Sequence, residues 1–186
     1  MRNVVFGINI TLDGCCDHTH GIADDELHAY FTGLLQKSDI DIFGRNTYHL
    51  MYPYWHDVAV EQSETEVINE FARAYDAIPK IVFSTTLERV EWNNTTLMRA
   101  NLAEEIVKLK QLPGKDISIG SISLAAQLTQ LGLIDEYHIV VHPIIAGKGP
   151  RLFETVGLTD SLQLELIGSK TFGSGVVAHH YKKRGV

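Results

Sequence analysis

Between Gly120 and Phe153 the chain reads GSISLAAQLTQLGLIDEYHIVVHPIIAGKGPRLF: a glycine turn, a helical stretch, a strand and a second glycine loop. This run constrains the fold more than any other, because a short apolar strand over 116–119 (DISI) leads straight into Gly120-Ser121. Strand, glycine turn and helix in that order belong to a parallel α/β sheet. The start of such a helix offers unpaired backbone N–H groups and a positive dipole end to a phosphate. An ordinary strand-turn-helix corner reads the same way.

The rest of the chain alternates likewise. Hydrophobic patterning predicts strands over 4–10, 39–43, 80–83, 95–98 and 137–141, and helices over 24–37, 61–75 and 101–111, with another from Ser121 to its stop at Gly132. The helix at 24–37 gathers Leu27, Tyr30, Phe31, Leu34 and Leu35 near one face. The helix at 61–75 turns Val67, Ile68, Phe71 and Ala72 inward, and Pro79 breaks it before the next strand. Segments 162–172 and 176–183 flank Gly173-Ser174-Gly175 and read as an antiparallel hairpin. With 186 residues, 45% of them hydrophobic, residues 1–186 suffice for one domain with its own core. A net charge of −7 argues against nucleic-acid or anionic-membrane partners, and Lys182-Lys183-Arg184 is too short to reverse it. No apolar stretch is long enough to span a bilayer, and the first ten residues alternate like a strand without a small-residue cleavage site. Cys15 and Cys16 are adjacent, cannot staple distant parts of the fold, and read as thiols of a reducing compartment. The expectation is a cytoplasmic protein.

Three more loops finish strands: NITLDG at 9–14, GRNTYHLM at 44–51 and STT at 84–86. Ligands of open α/β sheets bind at the carboxyl ends of the strands, where these loops meet. Gly44 and Arg45 open the second loop, and a guanidinium fork suits a phosphate monoester; the bland alternative is a surface ion pair. Thr47 is either a further phosphate contact or a helix cap, and Ser84 and Thr85 are either hydroxyl donors or turn caps. Asp13 is a candidate catalytic or substrate-anchoring carboxylate, or else an Asp-Gly turn residue, while Gly14 permits close approach or a positive φ. Trp55, beside Met51, Tyr48, Tyr52 and Tyr54, either flanks a flat heterocycle or packs on the sheet. Lys148, between Gly147 and Gly149, either meets an anionic group or belongs to a tight turn. The tract Cys15-Cys16-Asp17-His18-Thr19-His20 is dense in metal-capable side chains, yet consecutive residues seldom converge on one ion, so no metal site is expected. His138 and His142 share a strand face, and His179-His180 lie in the last strand; most of these read as core-edge or surface residues.

Taken together, the S/T-x-D-G loop after the first strand, G-R-x-T-Y after the second, strand-S-T-T, and G-S-x-x-L…G-L-I-D-E…P…G-x-G-x-x-L-F resemble the dihydrofolate-reductase-like family. The resemblance covers nearly the whole chain and is closer to the branch of the RibD C-terminal reductase of riboflavin biosynthesis. It implies a three-layer α/β/α fold with a twisted, mostly parallel sheet and a C-terminal antiparallel hairpin. It also implies NADPH as cofactor, with Arg45, Thr47, Ser84 and Thr85 at its phosphates, Gly120, Ser121, Ile122 and Ser123 at the pyrophosphate, and Gly14 near the nicotinamide. The implied reaction is hydride transfer to a small nitrogen heterocycle or ribosylaminopyrimidine, with Lys148 near the substrate or subunit contact; the aromatic stretch after the Arg45 loop puts Trp55 at the border of the substrate pocket. The alternative is a catalytically idle module that binds a nucleotide or pterin on the same fold. Two departures stand out. Dihydrofolate reductases carry Gly-Gly with a cis peptide where this chain has Gly120-Ser121, and riboflavin-pathway reductases carry a lysine where this chain has Cys15. The deaminase zinc signature that accompanies the bifunctional enzymes is absent from the sequence. The family, together with apolar positions Val140, Val177 and Tyr181, suggests a homodimer.

Overall fold

The computed structural model describes residues 1–184. Its strands are β1 (Val4–Thr11), β2 (Ser38–Gly44), β3 (Lys80–Phe83), β4 (Thr95–Met98), β5 (Asp116–Ile119), β6 (Glu136–His142), β7 (Leu164–Thr171) and β8 (Val177–Lys183). The helices are α1 (Asp25–Lys37), α2 (Arg45–Glu61), α3 (Glu66–Ala77), α4 (Leu102–Gln111) and α5 (Ile122–Gln130). The strands form one sheet in the order β4-β3-β2-β5-β1-β6-β8-β7. Its first six strands are parallel, and β8 and β7 run antiparallel as the expected hairpin. Because β5 lies between β1 and β2, the chain leaves the sheet centre in both directions, and the loops after β1, β2 and β5 meet at one edge.

Alternation along the strands divides the core in two. One face carries Val4, Phe6, Ile42, Ile81, Ile117 and Ile119 against Ile106 of α4 and Leu124 and Leu128 of α5. The other packs Phe43 and Val82 beneath α1, α2 and α3, with Leu35, Tyr48, Phe71 and Tyr75. That second face is unusually polar for a buried one. Register places Asp41 beside both Lys80 and Ser118, and Thr11 beside His142, all on this side. Lys80 is satisfied locally, for its Nζ donates to the carbonyls of Asp76 (2.9 Å) and Ile78 (2.8 Å) and lies 4.3 Å from the Trp92 ring centroid.

Several expectations are corrected here. The helix expected over 61–75 is the end of α2 followed by α3. α2 runs past Pro53 to Glu61, Gln62 turns left-handed at φ 52°, and α3 opens on Thr65. Buried Asn69 holds this break together: its Nδ2 donates to the carbonyls of Gln62 (3.1 Å) and Glu64 (2.9 Å), and its Oδ1 accepts from Glu64 N–H (3.2 Å). Val140, expected at an exposed dimer face, is fully buried with Leu27, Phe172 and Ala178, because α1 and the β7–β8 turn cover that face, and Val177 and Tyr181 are half-buried. The exposed apolar pair is instead Leu166 and Ile167 on edge strand β7. His138 and His142 are buried beneath the sheet's helical cover rather than at the core edge. Among the described residues no helix is long and apolar enough to cross a membrane.

Candidate active site

Two hollows open where the strand ends meet, on either side of the turn from Gly120 to Ser123. The first, about 470 Å³, lies over the ends of β2 to β5 and is lined by Gly44, Arg45, Ser84, Thr85, Arg99, Ser121 and Ser123 among others. Its charged lining residues are both arginines. Arg45 Nη1 donates to Thr86 Oγ1 at 2.7 Å, and the Arg99 guanidinium donates to the Leu87 carbonyl, so the loop after β3 sets both. Ser84 Oγ accepts the N–H groups of Thr86 (3.2 Å) and Leu87 (3.0 Å); it caps its own turn and keeps a hydroxyl proton to donate. Ser121 and Ser123 hydroxyls lie 3.3 Å apart. Gly44 is pressed against this turn, where a Cβ would stand 3.4 Å from Ser121 Oγ.

Helix capping picks out the same place. α1, α3 and α4 each begin with a side-chain cap: Asp24 accepts from Leu27 N–H (2.8 Å), Thr65 from Ile68 N–H (3.4 Å) and Asn101 from Ala103 N–H (3.0 Å). α2 and α5 begin at Gly44 and Ser121 with no side-chain cap, and both residues line this pocket. Two sets of first-turn N–H groups, two positive dipole ends and two guanidinium forks therefore converge in a chain of net charge −7. Such an arrangement holds phosphoryl groups.

The second hollow, about 550 Å³, lies between the polar sheet face and helices α1 to α3. Its walls are apolar and aromatic, from Leu27 and Phe31, Leu50, Met51 and Trp55, and Phe71. Trp55 stands edge-on to Phe71 at 4.5 Å between ring centroids. The floor is polar, formed by Asn9, Asp41, Ser118 and His142. Ile22 N–H donates to His142 Nδ1 at 3.0 Å, so the imidazole carries its proton on Nε2 and donates it to Asn9 Oδ1, also at 3.0 Å. With Oδ1 engaged, the group Asn9 offers a ligand is its Nδ2 amide N–H donor. Asp41 is 1% exposed, and its Oδ1 accepts no hydrogen bond. Burial pushes its carboxyl above the usual carboxylate range, against the opposing pull of the Ser118 and Tyr75 hydroxyls and of Lys80. Burial, opposed by Asp76 and Asp41, likewise brings Lys80 down to about 8.

The RibD C-terminal domain family matches residues 2–178 of the chain. The chain belongs to that family. It is 30% identical over 190 residues to the uncharacterized protein YyaP of Bacillus subtilis (strain 168), covering 99% of this chain and 96% of YyaP. It is 28% identical over 194 residues to YwjB of the same organism, also uncharacterized, covering 97% and 98%. Among solved structures, a putative riboflavin biosynthesis protein from Shewanella sp. PV-4 superposes with a TM-score of 0.70 at 24% identity over the whole of both chains. The diaminohydroxyphosphoribosylaminopyrimidine deaminase/5-amino-6-(5-phosphoribosylamino)uracil reductase of Thermotoga maritima superposes at 0.68 and 14% identity over 98% of this chain and 57% of its own. These structures share the fold, a mixed sheet with antiparallel C-terminal strands.

In this RibD C-terminal chain the structure brings Gly44, Arg45, Ser84, Thr85, Ser121 and Ser123 into the polar pocket. Thr47, named with the phosphate contacts, lies instead on the apolar cavity with Trp55, Gly120 and Ile122. The peptide bond between Gly120 and Ser121 is trans. Asp13, Gly14 and Lys148 line neither hollow. Asp13 accepts from Thr11 Oγ1 (2.6 Å), Ala146 N–H (3.0 Å) and Gly147 N–H (2.9 Å), and these donors hold its carboxyl far below the usual range. A carboxylate so held ties the 146–147 loop to the first strand and has no proton to give. Gly14 takes φ 82° to close this turn, and Lys148 is exposed. Cys15 is packed beneath Gly149, where a Cβ would come within 2.6 Å of its Sγ. Arg99, Asn9 and Asp41 also line the hollows and are not singled out from the sequence, and His142 joins them though it reads as a core-edge or surface residue. Arg99 had a readable signal, for it directly follows β4 as Arg45 directly follows β2.

Proposed function

We propose that the protein is an NADPH-dependent reductase that delivers a hydride to a flat nitrogen heterocycle, of the dihydropteridine or ribosylaminopyrimidine type. The observation that carries this reading is the convergence of two uncapped helix starts and two arginines on a pocket that adjoins, through one turn, an aromatic-walled cavity with a polar floor. Membership of the RibD C-terminal family supports it, as does the likeness in fold to the Thermotoga maritima deaminase/reductase.

In this reading Arg45 and Arg99, with Ser84 and Thr85, hold the phosphate that distinguishes NADPH from NADH. Ser121, Ser123 and the first-turn N–H groups of α5 hold the pyrophosphate. When bound, the cofactor supplies the hydride. Trp55, Phe31 and Met51 clamp the ring and exclude water, and Asn9 Nδ2 donates to one of its acceptors. Asp41, which burial favours in its protonated form, donates to a ring nitrogen and passes it the proton that accompanies the hydride, so one C=N bond takes up H⁻ and H⁺. The carboxylate left behind recovers its proton from solvent. The homodimer belongs to the same proposal, joined through the apolar edge of β7.

The test is consumption of NADPH, followed by its absorbance, with a panel of dihydropteridines, dihydrofolate and ribosylaminopyrimidines. Saturable consumption with one of them is expected. NADPH that binds but is consumed with none of the panel would favour an idle nucleotide-binding module.

A further inference from the structure

A second cluster of side chains lies at the opposite end of β6 from the cavity, and none of its three members lines either hollow. Residues two apart on a strand share a face, so Glu136 and His138 point the same way, and the antiparallel register sets His180 of β8 directly opposite His138. The two imidazoles stack with centroids 3.8 Å apart, and His180 Nε2 lies 2.8 Å from Glu136 Oε2. One ligand atom from each of the three lies within 4.8 Å of the others.

We propose that Glu136, His138 and His180 bind one divalent first-row transition ion, of the zinc, cobalt or nickel class. Two imidazoles and a single carboxylate suit such borderline ions better than calcium or magnesium, which take oxygen sets. Tetrahedral zinc bonds of about 2.0–2.1 Å space ligands ~3.3 Å apart, so a small side-chain rotation closes the site and leaves a fourth position for water. The outer partners are in place. Tyr30 Oη lies 2.6 Å from His138 Nδ1, which leaves Nε2 as the ring nitrogen for the ion, and Asn3 Nδ2 donates to Glu136 Oε1 at 3.4 Å. Asp116 lies near enough to Glu136 to add a second negative charge beside the site. The cations beside the cluster include Lys182, directly across from Glu136 in the β6–β8 register, Lys37, toward His138, and Arg2, toward Asp116. Bound there, the ion clamps β8 to β6. The site does not depend on the reductase reading.

Calorimetric titration of chelator-treated protein with zinc chloride tests the proposal, with cobalt absorption as a second readout of coordination. The expected result is one ion per chain, a higher melting temperature with zinc, and affinity at least about tenfold weaker in both His180→Ala and Glu136→Gln. His20→Ala, in the cysteine-histidine tract, is expected to bind as the wild type does. Circular dichroism without metal verifies folding, and His180→Gln, which keeps the volume, stands in for any variant that fails it. Absence of saturable uptake, uptake that survives both site variants, or uptake lost in His20→Ala would overturn the proposal.

Discussion

His142 Nε2 donates to Asn9 Oδ1 across 3.0 Å, and the tautomer that makes this bond is imposed by Ile22 N–H on Nδ1. A second proton on this ring has to displace a backbone donor. Burial lowers its pKa below the ordinary 6.5, with Asp24 alone pulling the other way. The unfolded chain therefore binds the proton more readily, so this contribution to stability is complete above about pH 6.5 and is lost as pH falls below it. Thermal melts are expected to show a drop between pH 7 and 5 that is smaller in His142→Gln.

Asp13→Asn separates tying a loop from catalysis. The amide cannot accept from Thr11, Ala146 and Gly147 as the carboxylate does, so a lower melting temperature is expected, with turnover within about twofold of wild type once the protein is folded. A loss of turnover above tenfold with an unchanged melting temperature would return Asp13 to the chemistry.

Asp41→Asn addresses the proton. It keeps the shape and most hydrogen bonding but removes the acid, so NADPH affinity is expected to hold while turnover falls at least about tenfold, ~1.4 kcal/mol of barrier. Because the wild-type carboxyl acts protonated, wild-type turnover is expected to decline as pH rises through its raised pKa, and the variant is expected to lack that limb. Equal turnover by Asp41→Asn would remove it from the mechanism.

The strands, most helix ends and the Arg45, Ser84 and Ser121 loops were legible because each is a local signal: alternation, a capping residue, or a glycine after an apolar run. The missing pieces are long-range. Asp41 alternates with Ile40 and Ile42 in a way that reads as a solvent face, and only the packing of α1 to α3 over that face buries it. Asn9 and His142 are separated by 133 positions and join only through the pairing of β1 with β6. The His138–His180 stack depends on the register of β6 with β8, which no local spacing encodes. Asp13 reads two ways in the sequence because an Asp-Gly turn at a strand end looks alike whether its carboxylate faces a ligand or another loop. The break at Gln62 was invisible because the residue holding it, Asn69, lies inside the next helix.

Leu166 and Ile167 are exposed on β7, whose outer edge pairs with no other strand among the described residues and suits pairing with a second copy. Light scattering at tens of micromolar protein is expected to give a dimer mass, and Leu166→Glu a monomer. A monomeric wild type would remove the β7 edge from the account.

The central claim, that the Arg45 and Arg99 pocket holds the cofactor's distinguishing phosphate, is tested most directly by calorimetric titration with NADPH and with NADH. The account predicts that NADPH binds at least about tenfold more tightly, and that Arg45→Ala or Arg99→Ala each removes ~1.5–3 kcal/mol of that preference. Equal affinity of the wild-type protein for the two cofactors, or binding of neither, would contradict it.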